Sequence, residues 1–336
     1  MKEIFDRLAQ AIKNKNDTVL VSVIASSGST PRGEGARMLI DKNGRVAGTI
    51  GGGAVEFRSE QLAKEVLKTK AAKIETFILA PNDVADLGMV CGGNVEVLFQ
   101  FIDCQEPSVS VICQKFNQHY QENRPCWLIS EIGEQPSNHL TFYSRETGFY
   151  NGESKELQKL TFKQGMTIVS DSDKRFLVES LINTGKVYIF GGGHVAQALV
   201  PVLKTVDFYC VVLDDRPELL TKEYFPEADQ CVVLDLKNIM DKVEITEEDY
   251  VVVMTRGHQF DFEVSKQVLK TNAYYIGVMG SKHKIAIQIK RLKECGFETE
   301  EIDRINMPIG LKIKAETPAE LAISVAGELI IKRAER

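Results

Sequence analysis

The sequence predicts an α/β protein in which an amino-terminal α+β domain precedes a doubly wound parallel sheet. The length of 336 residues corresponds to roughly two domains at about 150 residues each. Strand-like and helix-like stretches alternate along the second half, and a glycine turn follows the first strand of that series. Such alternation is typical of a parallel sheet with right-handed crossovers. We therefore predict two domains, over residues 1–184 and 185–336.

Composition narrows the class of protein. Hydrophobic residues make up 43% and charged residues 26% of the chain, which is close to globular averages. The formal net charge is −6, and no long basic run is present, so nucleic acid is not an expected partner. The sequence contains neither an apolar stretch of about 18 residues nor an apolar signal core at its start. We expect a soluble cytoplasmic protein that does not bind a membrane.

The seven cysteines are scattered along the chain. Cys104 and Cys113 lie closest together, nine residues apart, so no CxxC spacing occurs. This argues against a zinc ribbon, a thioredoxin-type pair and a ferredoxin-type cluster. An odd number of scattered cysteines is typical of reduced thiols in the cytosol.

The first half predicts a mixture of helices and antiparallel strands. Asn43 and Gly44 form a strong two-residue turn signal between two strand-like runs, which predicts a hairpin. Between residues 104 and 180 the pattern weakens, and we expect continued α+β structure there. The predicted elements of this half are a helix over 4–12, strands over 18–25, 36–41, 46–50 and 94–102, and a helix over 55–67.

The second half predicts strands that are buried on both faces, because their apolar runs lack polar alternation. The predicted strands are 186–190, 208–213, 230–234, 250–254 and 275–279, with 305–309 as a candidate sixth. Predicted helices cover 195–203, 262–269 and 282–295, and a last one begins at the capping box of residues 317–320. Pro201 is expected to kink or shorten the first of these helices.

The turn after the first of these strands has the pattern of a phosphate-binding loop. Gly191 and Gly193 permit a tight turn and a close approach of the backbone to a phosphate, and Ala196 lets helix and strand pack closely. Asp214 follows the next strand, where a carboxylate would accept hydrogen bonds from a ribose. This pattern favours nucleotide-type binding. The alternative is that the turn only begins the fold, without a ligand.

Further polar residues follow other strands of this sheet. Because ligands bind at the carboxyl ends of parallel strands, these residues are expected at one edge. Lys282, His283 and Lys284 open a helix, where each positive charge costs about 0.3–1 kcal/mol against the helix dipole, a cost that an anionic ligand would offset. The alternatives are solvated loops, or a divalent metal on the three histidines, although no fixed spacing supports a metal. The candidates at this edge are His194, Asp214, Asp215, Arg216, Arg256, His258, Lys282 and His283.

Glycine-rich segments also mark the first half. Gly51, Gly52 and Gly53 precede a helix and could form a backbone anion nest. Arg32 and Arg37 could offer forked donors to a phosphate or to a pterin edge.

Cys91 lies in a further glycine-rich segment, residues 91–93. A thiol there could coordinate a soft metal or carry sulfur, provided that its pKa is lowered. The alternative is a buried, inert cysteine at a turn.

Taken together, these motifs resemble the XdhC/CoxI family. The segments 28–32, 35–38, 48–53 with Glu56, and 91–93 are similar to the amino-terminal domain of that family. The segments 191–195, 214–217, 255–258, 275–280 and 308–311 are similar to its Rossmann domain. Phe260 departs from the pattern, because members often have a second histidine there. Residues from about 104 to 180 carry none of the motifs.

The resemblance implies an accessory protein for xanthine dehydrogenase and related molybdenum hydroxylases, acting in purine catabolism. Such proteins bind the molybdenum cofactor (molybdopterin), assist its sulfuration by a cysteine desulfurase and insert it into the apoenzyme. It also makes Cys91 the candidate contact to molybdenum. Arg32, Arg37, the Gly51–Gly53 turn and Glu56, together with the residues at the sheet edge, become candidates for binding the cofactor. A homodimer is expected by analogy.

A second hypothesis is an NAD-dependent oxidoreductase that uses the carboxyl-terminal domain. Asp214 would favour NAD over NADP, and His194, Arg256 or His258 would serve as acid and anion clamp. No substrate-domain constellation accompanies the glycine turn, so we expect a carrier rather than a catalyst. A third possibility is a nucleotide-sensing partner protein.

Overall fold

The structure is a computed structural model that describes residues 1–28, 32–79, 93–152, 155–171, 174–256 and 258–336. The chain forms two compact units, Met1–Asn183 and Thr184–Arg336. Among the described residues, no helix combines the length and apolar character that crossing a lipid bilayer requires.

The first unit begins with a five-stranded antiparallel sheet of order β3-β2-β1-β5-β4. Helix α2 covers one face, where Leu62 packs with Val21 and Phe99, and the opposite face packs against the first and third helices. The predicted hairpin around Asn43 and Gly44 is present as β2 and β3. The elements are α1 (Lys2–Lys13), β1 (Thr18–Gly28), β2 (Arg37–Asp41), β3 (Gly44–Thr49), α2 (Gly53–Thr69), β4 (Lys73–Leu79) and β5 (Gly93–Ile102).

A second five-stranded antiparallel sheet, of order β8-β7-β6-β10-β9, follows in the region where the sequence pattern is weak. A helix precedes it, with Pro107 in its first turn and the Glu106 side chain accepting from the main-chain N–H of Ser108. These elements are α3 (Pro107–Gln121), β6 (Trp127–Glu131), β7 (Leu140–Ser144), β8 (Gly148–Tyr150), β9 (Met166–Asp171) and β10 (Lys174–Ser180). The expectation of α+β structure is correct here.

The second unit is built on a six-stranded parallel sheet of order β13-β12-β11-β14-β15-β16. This confirms the predicted doubly wound fold. Its elements are β11 (Lys186–Phe190), α4 (His194–Thr205), β12 (Tyr209–Asp214), β13 (Gln230–Val233), β14 (Tyr250–Val253), α5 (His258–Val268), β15 (Tyr275–Val278), α6 (Lys282–Glu294), α7 (Thr299–Ile302), β16 (Ile305–Asn306) and α8 (Pro318–Ala334).

The strand order reverses between β11 and β14, the point at which sheets of this kind commonly bind ligands at the carboxyl ends of their strands. The glycine turn leads from β11 into α4 at this point. Of the two effects expected of Pro201, a kink or a shortening, the shortening is wrong, because helix α4 continues through this residue. Leu199, Val200 and Leu203 lie in the core on one face of the sheet, and their burial holds the helix together across the missing N–H.

Candidate functional site

The guanidinium of Arg37 lies inside the first unit. It forms an ion pair with Glu179 of β10, and its Nε donates to Ser22 Oγ over 2.8 Å. The two charged side chains are 4% and 5% exposed. This differs from the expectation that Arg37 offers free donors to a ligand, because its strand position in β2 turns the side chain toward an internal carboxylate.

The Gly51–Gly53 turn binds an anion that the chain itself supplies. One carboxylate oxygen of Glu56 accepts from the main-chain N–H groups of Ile50 and Gly52, over 3.0 and 3.1 Å. Thr49 donates to the same oxygen, and Arg45 pairs with the other. Glu56 therefore occupies the predicted nest rather than facing outward.

The pKa of Glu56 reflects these contacts. Burial by itself would raise this pKa, but the hydrogen bonds from Thr49, Gly52 and Ile50 and the charge of Arg45 together hold it below its usual value. The carboxylate is thus stabilised in its charged form. It acts as an internal counter-ion at the start of α2.

The two remaining candidates of this half are Arg32 and Cys91, of which the structure describes only Arg32. Arg32 is exposed, so its guanidinium is accessible to solvent. Cys91 lies outside the described residues, as do Ser29, Thr30 and Pro31 of the segment before Arg32.

In the second unit, the glycines of the turn differ in the room that they leave for a side chain. A side chain at Gly191 would meet the carbonyl oxygen of Met254 at 2.4 Å, and its φ is +114°, so the backbone requires glycine there. At Gly193 no atom of the described residues lies within 4 Å of the place that a Cβ would take. Gly193 is the N-cap of α4, and no described side chain forms a capping hydrogen bond to that helix. The start of α4 therefore leaves room for a group beside Gly193.

Asp214, at the end of β12, has both carboxylate oxygens occupied by groups of the protein. One oxygen accepts from Gly192 N over 2.7 Å and from Arg216 Nη2 over 2.9 Å. The other accepts from the main-chain N–H and Nε of Arg216, over 3.0 and 2.8 Å. Burial by itself would raise the pKa of Asp214, but these hydrogen bonds lower it to about 2. This differs from the expected role of accepting from a ribose, because the turn and Arg216 already use the carboxylate.

Asp215, next to it, interacts with two arginines. Its Oδ2 accepts from Arg256 Nη2 over 2.9 Å. Its Oδ1 is buried, lies 3.8 Å from Arg216 Nε and has no hydrogen-bond partner among the described residues. Arg256 also lies over the ring of Phe260, 5.6 Å from the ring centre, and its side chain is 47% exposed. The sheet edge thus presents a half-exposed arginine that is paired with Asp215.

The remaining candidates of this edge lie at helix starts. His194 begins α4 and is exposed, and Lys282 and His283 begin α6 and are exposed as well. His258 begins α5, but its side chain lies outside the described residues. The described histidines do not form a cluster that could bind a metal ion. A group that the sequence did not indicate, Asp17, Asp103 and Cys104, has its ligand atoms within 4.8 Å of one another.

Three residues with structural roles at these sites escaped the sequence analysis. Glu179 neutralises Arg37 and Arg45 neutralises Glu56. Asp261 accepts from the main-chain N–H and hydroxyl of Thr255, over 2.9 and 2.7 Å, and so fixes the loop after β14. Asp261 directly precedes the predicted helix over 262–269, a position where aspartate commonly caps a helix, so a local signal was present for it. No local signal marks Glu179.

Comparison with known proteins agrees with the fold. A model of the XdhC Rossmann domain matches residues 187–329, and a model of the XdhC and CoxI family matches residues 11–77. A crystal structure from Bacillus halodurans, described as a xanthine dehydrogenase, superimposes with a TM-score of 0.79 at 24% identity, covering 99% of this chain and 96% of that one.

Two named relatives are similar over most of their length. A Bacillus subtilis (strain 168) protein, named as a probable xanthine dehydrogenase subunit, is 25% identical over 330 residues, 96% of this chain and 95% of its own. The Escherichia coli (strain K12) protein named molybdenum cofactor insertion chaperone PaoD is 21% identical over 320 residues, 95% of this chain and 85% of its own.

The two family models match residues in both units, and the parallel sheet and glycine turn of the second unit agree with a Rossmann domain. The chain belongs to the XdhC and CoxI family of accessory proteins.

Proposed function

We propose that this protein binds the molybdenum cofactor and inserts it into a molybdenum hydroxylase of the xanthine dehydrogenase type. The relative named as a molybdenum cofactor insertion chaperone supports this role. The scattered cysteines, without any CxxC spacing, do not suit the iron–sulfur clusters of a hydroxylase itself. Carriage of the cofactor, rather than the oxidation of xanthine, is therefore the function that suits this chain.

The open start of α4 carries this proposal. The molybdenum cofactor bears a phosphate, and an uncapped helix start with free space at Gly193 suits an anion. Exposed Lys282 supplies positive charge at the same sheet edge, and the ring of His194 is exposed there as well. The Gly51–Gly53 turn is less suited to this task, because Glu56 fills it.

Sulfuration and partners form the finer part of the proposal. Cys91, which the family resemblance makes the candidate contact to molybdenum, would take part in sulfuration, for which a cysteine desulfurase supplies the sulfur. A homodimer would shield a labile ligand. The client is the apoenzyme of a molybdenum hydroxylase, and purine catabolism is the corresponding role.

Anaerobic incubation with molybdenum cofactor tests this function. The purified protein is mixed with the cofactor and passed through gel filtration, and bound pterin and molybdenum are assayed. We expect near-stoichiometric retention, a marked loss in Cys91→Ser and in Lys282→Gln, and unchanged retention in Cys295→Ser, a matched change at an exposed cysteine. Delivery is then measured as activity regained by the apoenzyme. Absence of retention by the wild-type protein would contradict the proposal.

A second candidate function is NAD-dependent oxidoreduction. The strand order and the glycine turn favour it, since this architecture commonly binds dinucleotides at the point where the order reverses. Titration with NAD and NADH in the same gel-filtration format distinguishes the two. Tight binding of NAD without cofactor retention, together with loss of NADH absorbance on adding a carbonyl substrate, would favour the oxidoreductase.

A further inference from the structure

Helix α8 is apolar on two opposite faces. One face packs with residues of α4 in the core of the second unit, where Val325 and Leu329 are buried. A helix that covers a sheet ordinarily has polar residues on its other face. On that other face of α8, three isoleucines are exposed by between 38% and 57%: Ile323, Ile330 and Ile331. Single exposed isoleucines are common, but a contiguous group marks an interaction site.

Helix α6 of the same unit shows the ordinary pattern. Its exposed positions include four lysines, and Ile287 is the one exposed isoleucine on this helix. The lysines are Lys282, Lys284, Lys290 and Lys293. Two helices that pack against the same sheet therefore differ sharply in the surface that they present to water.

No outward-facing charge interrupts the exposed face of α8 between Glu320 and Lys332. Glu328 is the single charged residue between these positions, and its carboxylate is used inside the unit. It accepts from the hydroxyl of Tyr275 over 2.7 Å and from the main-chain N–H of Gly310. About three turns of the helix thus present an uncharged surface to solvent.

Leu311 joins the isoleucines into one surface. A Cβ at Gly327 would lie 2.8 Å from Leu311 Cδ1, so the leucine side chain lies over the space that this glycine leaves. Two hydrogen bonds hold it there: Leu311 N donates to the carbonyl of Ser324 over 3.2 Å, and Ser324 Oγ donates to the carbonyl of Leu311 over 2.8 Å. Because Ile323 and Ile331 lie four residues to either side of Gly327, the leucine lies at the centre of the surface. Leu311, Ile323, Ile330 and Ile331 are called the α8 face below.

The α8 face is self-complementary under a two-fold axis. An axis that passes at Leu311 places this leucine against its own counterpart, because a residue on the axis of a symmetric contact meets itself. Ile323 of one copy then meets Ile331 of the other, since both lie at the same distance from the centre. The two helices run antiparallel in this arrangement.

The charges at the two ends of α8 favour the same arrangement. The first turn is acidic, with Glu320, and the last turn is basic, with Lys332 and Arg333. Antiparallel helices place the acidic end of one copy beside the basic end of the other, whereas parallel helices would place like charges together. The opposite ends of the two helix dipoles also lie together.

The area of the α8 face is sufficient for a specific contact. Two copies of the face contribute roughly 700 Å² of apolar surface, and the residues around it, such as exposed Ile313, bring the contact to the area of about 1,000 Å² that a specific interface requires. A second copy of the chain therefore covers this surface with matching shape, charge and area.

We propose that two copies of this chain form a two-fold symmetric dimer through the α8 face. Leu311 lies at the axis, and the pairs of Ile323 with Ile331 flank it on both sides. The inference rests on the homodimer of the proposed function, and it adds the surface at which the copies meet and the direction in which their helices run.

Sedimentation velocity of the full-length protein, without cofactor and over a range of concentrations, tests the proposal. We expect the wild-type protein to form a dimer. Ile323→Glu and Ile331→Lys should each raise the dissociation constant at least about thirtyfold, because each places a charge against an isoleucine in a contact without water. The double variant should recover much of the affinity, because the two-fold axis places each introduced carboxylate beside an introduced ammonium.

Ile287→Glu is the matched control, because Ile287 and Ile331 are equally exposed, at 44%, but lie on different helices. It should leave the dissociation constant unchanged, and circular dichroism checks that every variant is folded. A monomeric wild-type protein, a dimer that neither single variant weakens, or a double variant no tighter than the single variants would overturn the proposal.

The apoenzyme of the client is the competing occupant of this surface. A monomeric wild-type protein whose delivery of cofactor to the apoenzyme falls in Ile323→Glu would assign the α8 face to the client and overturn the dimer. Sedimentation is measured without molybdenum cofactor, and retention of the cofactor is measured separately. Failure of the dimer and failure of cofactor carriage are therefore distinguishable.

Discussion

Both units contain glycine-rich segments that the sequence predicts to bind an anion, and the two units differ in the groups that occupy those segments. In the first unit Arg37 and the Gly51–Gly53 turn are satisfied by Glu179 and Glu56, and both carboxylates are buried. In the second unit Asp214 accepts from Gly192 N and from Arg216, and Gly193 at the start of α4 has room for a side chain. A glycine-rich turn therefore indicates that an anion binds, but not whether the protein or a ligand supplies it.

The largest effect in this comparison is expected at the ion pair of Arg37. Glu179→Gln leaves a buried guanidinium without its counter-ion, which should lower the free energy of unfolding by about 3–5 kcal/mol. Trp127 is the single tryptophan of the chain and is buried in the first unit. Urea unfolding followed by its fluorescence therefore reports on this unit.

The matched control for that change is Glu131→Gln on the neighbouring strand. Glu131 pairs with Lys174 over 3.9 Å at the surface, so its loss should cost less than about 1 kcal/mol. Equal destabilisation by the two substitutions would contradict the idea that Arg37 has a structural role.

The next effect tests whether the Gly51–Gly53 turn is a true anion nest. Glu56→Ala removes the internal carboxylate and should destabilise the first unit by about 2–4 kcal/mol, because two main-chain N–H groups and Arg45 lose their acceptor. Millimolar phosphate should then restore part of the stability of the variant but not alter the wild-type protein. Glu60→Ala, beside Arg45 at 3.7 Å, is the control and should show neither effect.

Asp214 provides a pH-dependent test in the second unit. Its pKa falls from 3.8 to about 2 on folding, so the carboxylate contributes stability above about pH 4 that is lost as the pH falls toward 2. Asp214→Asn should cost about 2 kcal/mol at pH 7, and its difference from the wild-type protein should shrink below pH 4. Thermal unfolding followed by circular dichroism at about pH 7, about pH 4 and about pH 3 measures this difference in stability.

The exposed carboxylate Asp303 supplies the comparison for that experiment. Asp303→Asn should have nearly the same stability as the wild-type protein at pH 7. A constant difference between Asp214→Asn and the wild-type protein at every pH would show that the charge of Asp214 is not what stabilises the turn.

The smallest effect on stability is expected at Gly193. Gly193→Ala enters open space at a φ of −75°, so the free energy of unfolding should change by less than about 0.5 kcal/mol. Retention of the molybdenum cofactor should nevertheless fall, because the added methyl group fills the space beside the helix start. Gly191→Ala is the contrasting change, since its Cβ would meet the Met254 carbonyl, and it should destabilise by about 1–3 kcal/mol. Full cofactor retention by Gly193→Ala would move the proposed site elsewhere.

Local patterns were sufficient to predict most of the second unit. Its strands are continuous apolar runs, and its turn is a short glycine motif, so the signals lie within a few residues. The second sheet of the first unit could not be predicted in this way. Its strands are three to seven residues long, and they pair across turns that carry no strong two-residue signal.

The candidate site shows the same difference between what local sequence patterns predict and what tertiary structure decides. From the sequence alone we could name Arg37, Glu56 and Asp214 as candidate ligand-binding residues, because their types and their glycine-rich surroundings are local. The groups that they contact depended on tertiary structure. Glu179 lies 142 residues from Arg37 along the chain, and the fold alone brings the two together. A charged group that is removed from water requires a partner at hydrogen-bond distance. For a buried side chain, that partner is therefore the group that tertiary packing places beside it.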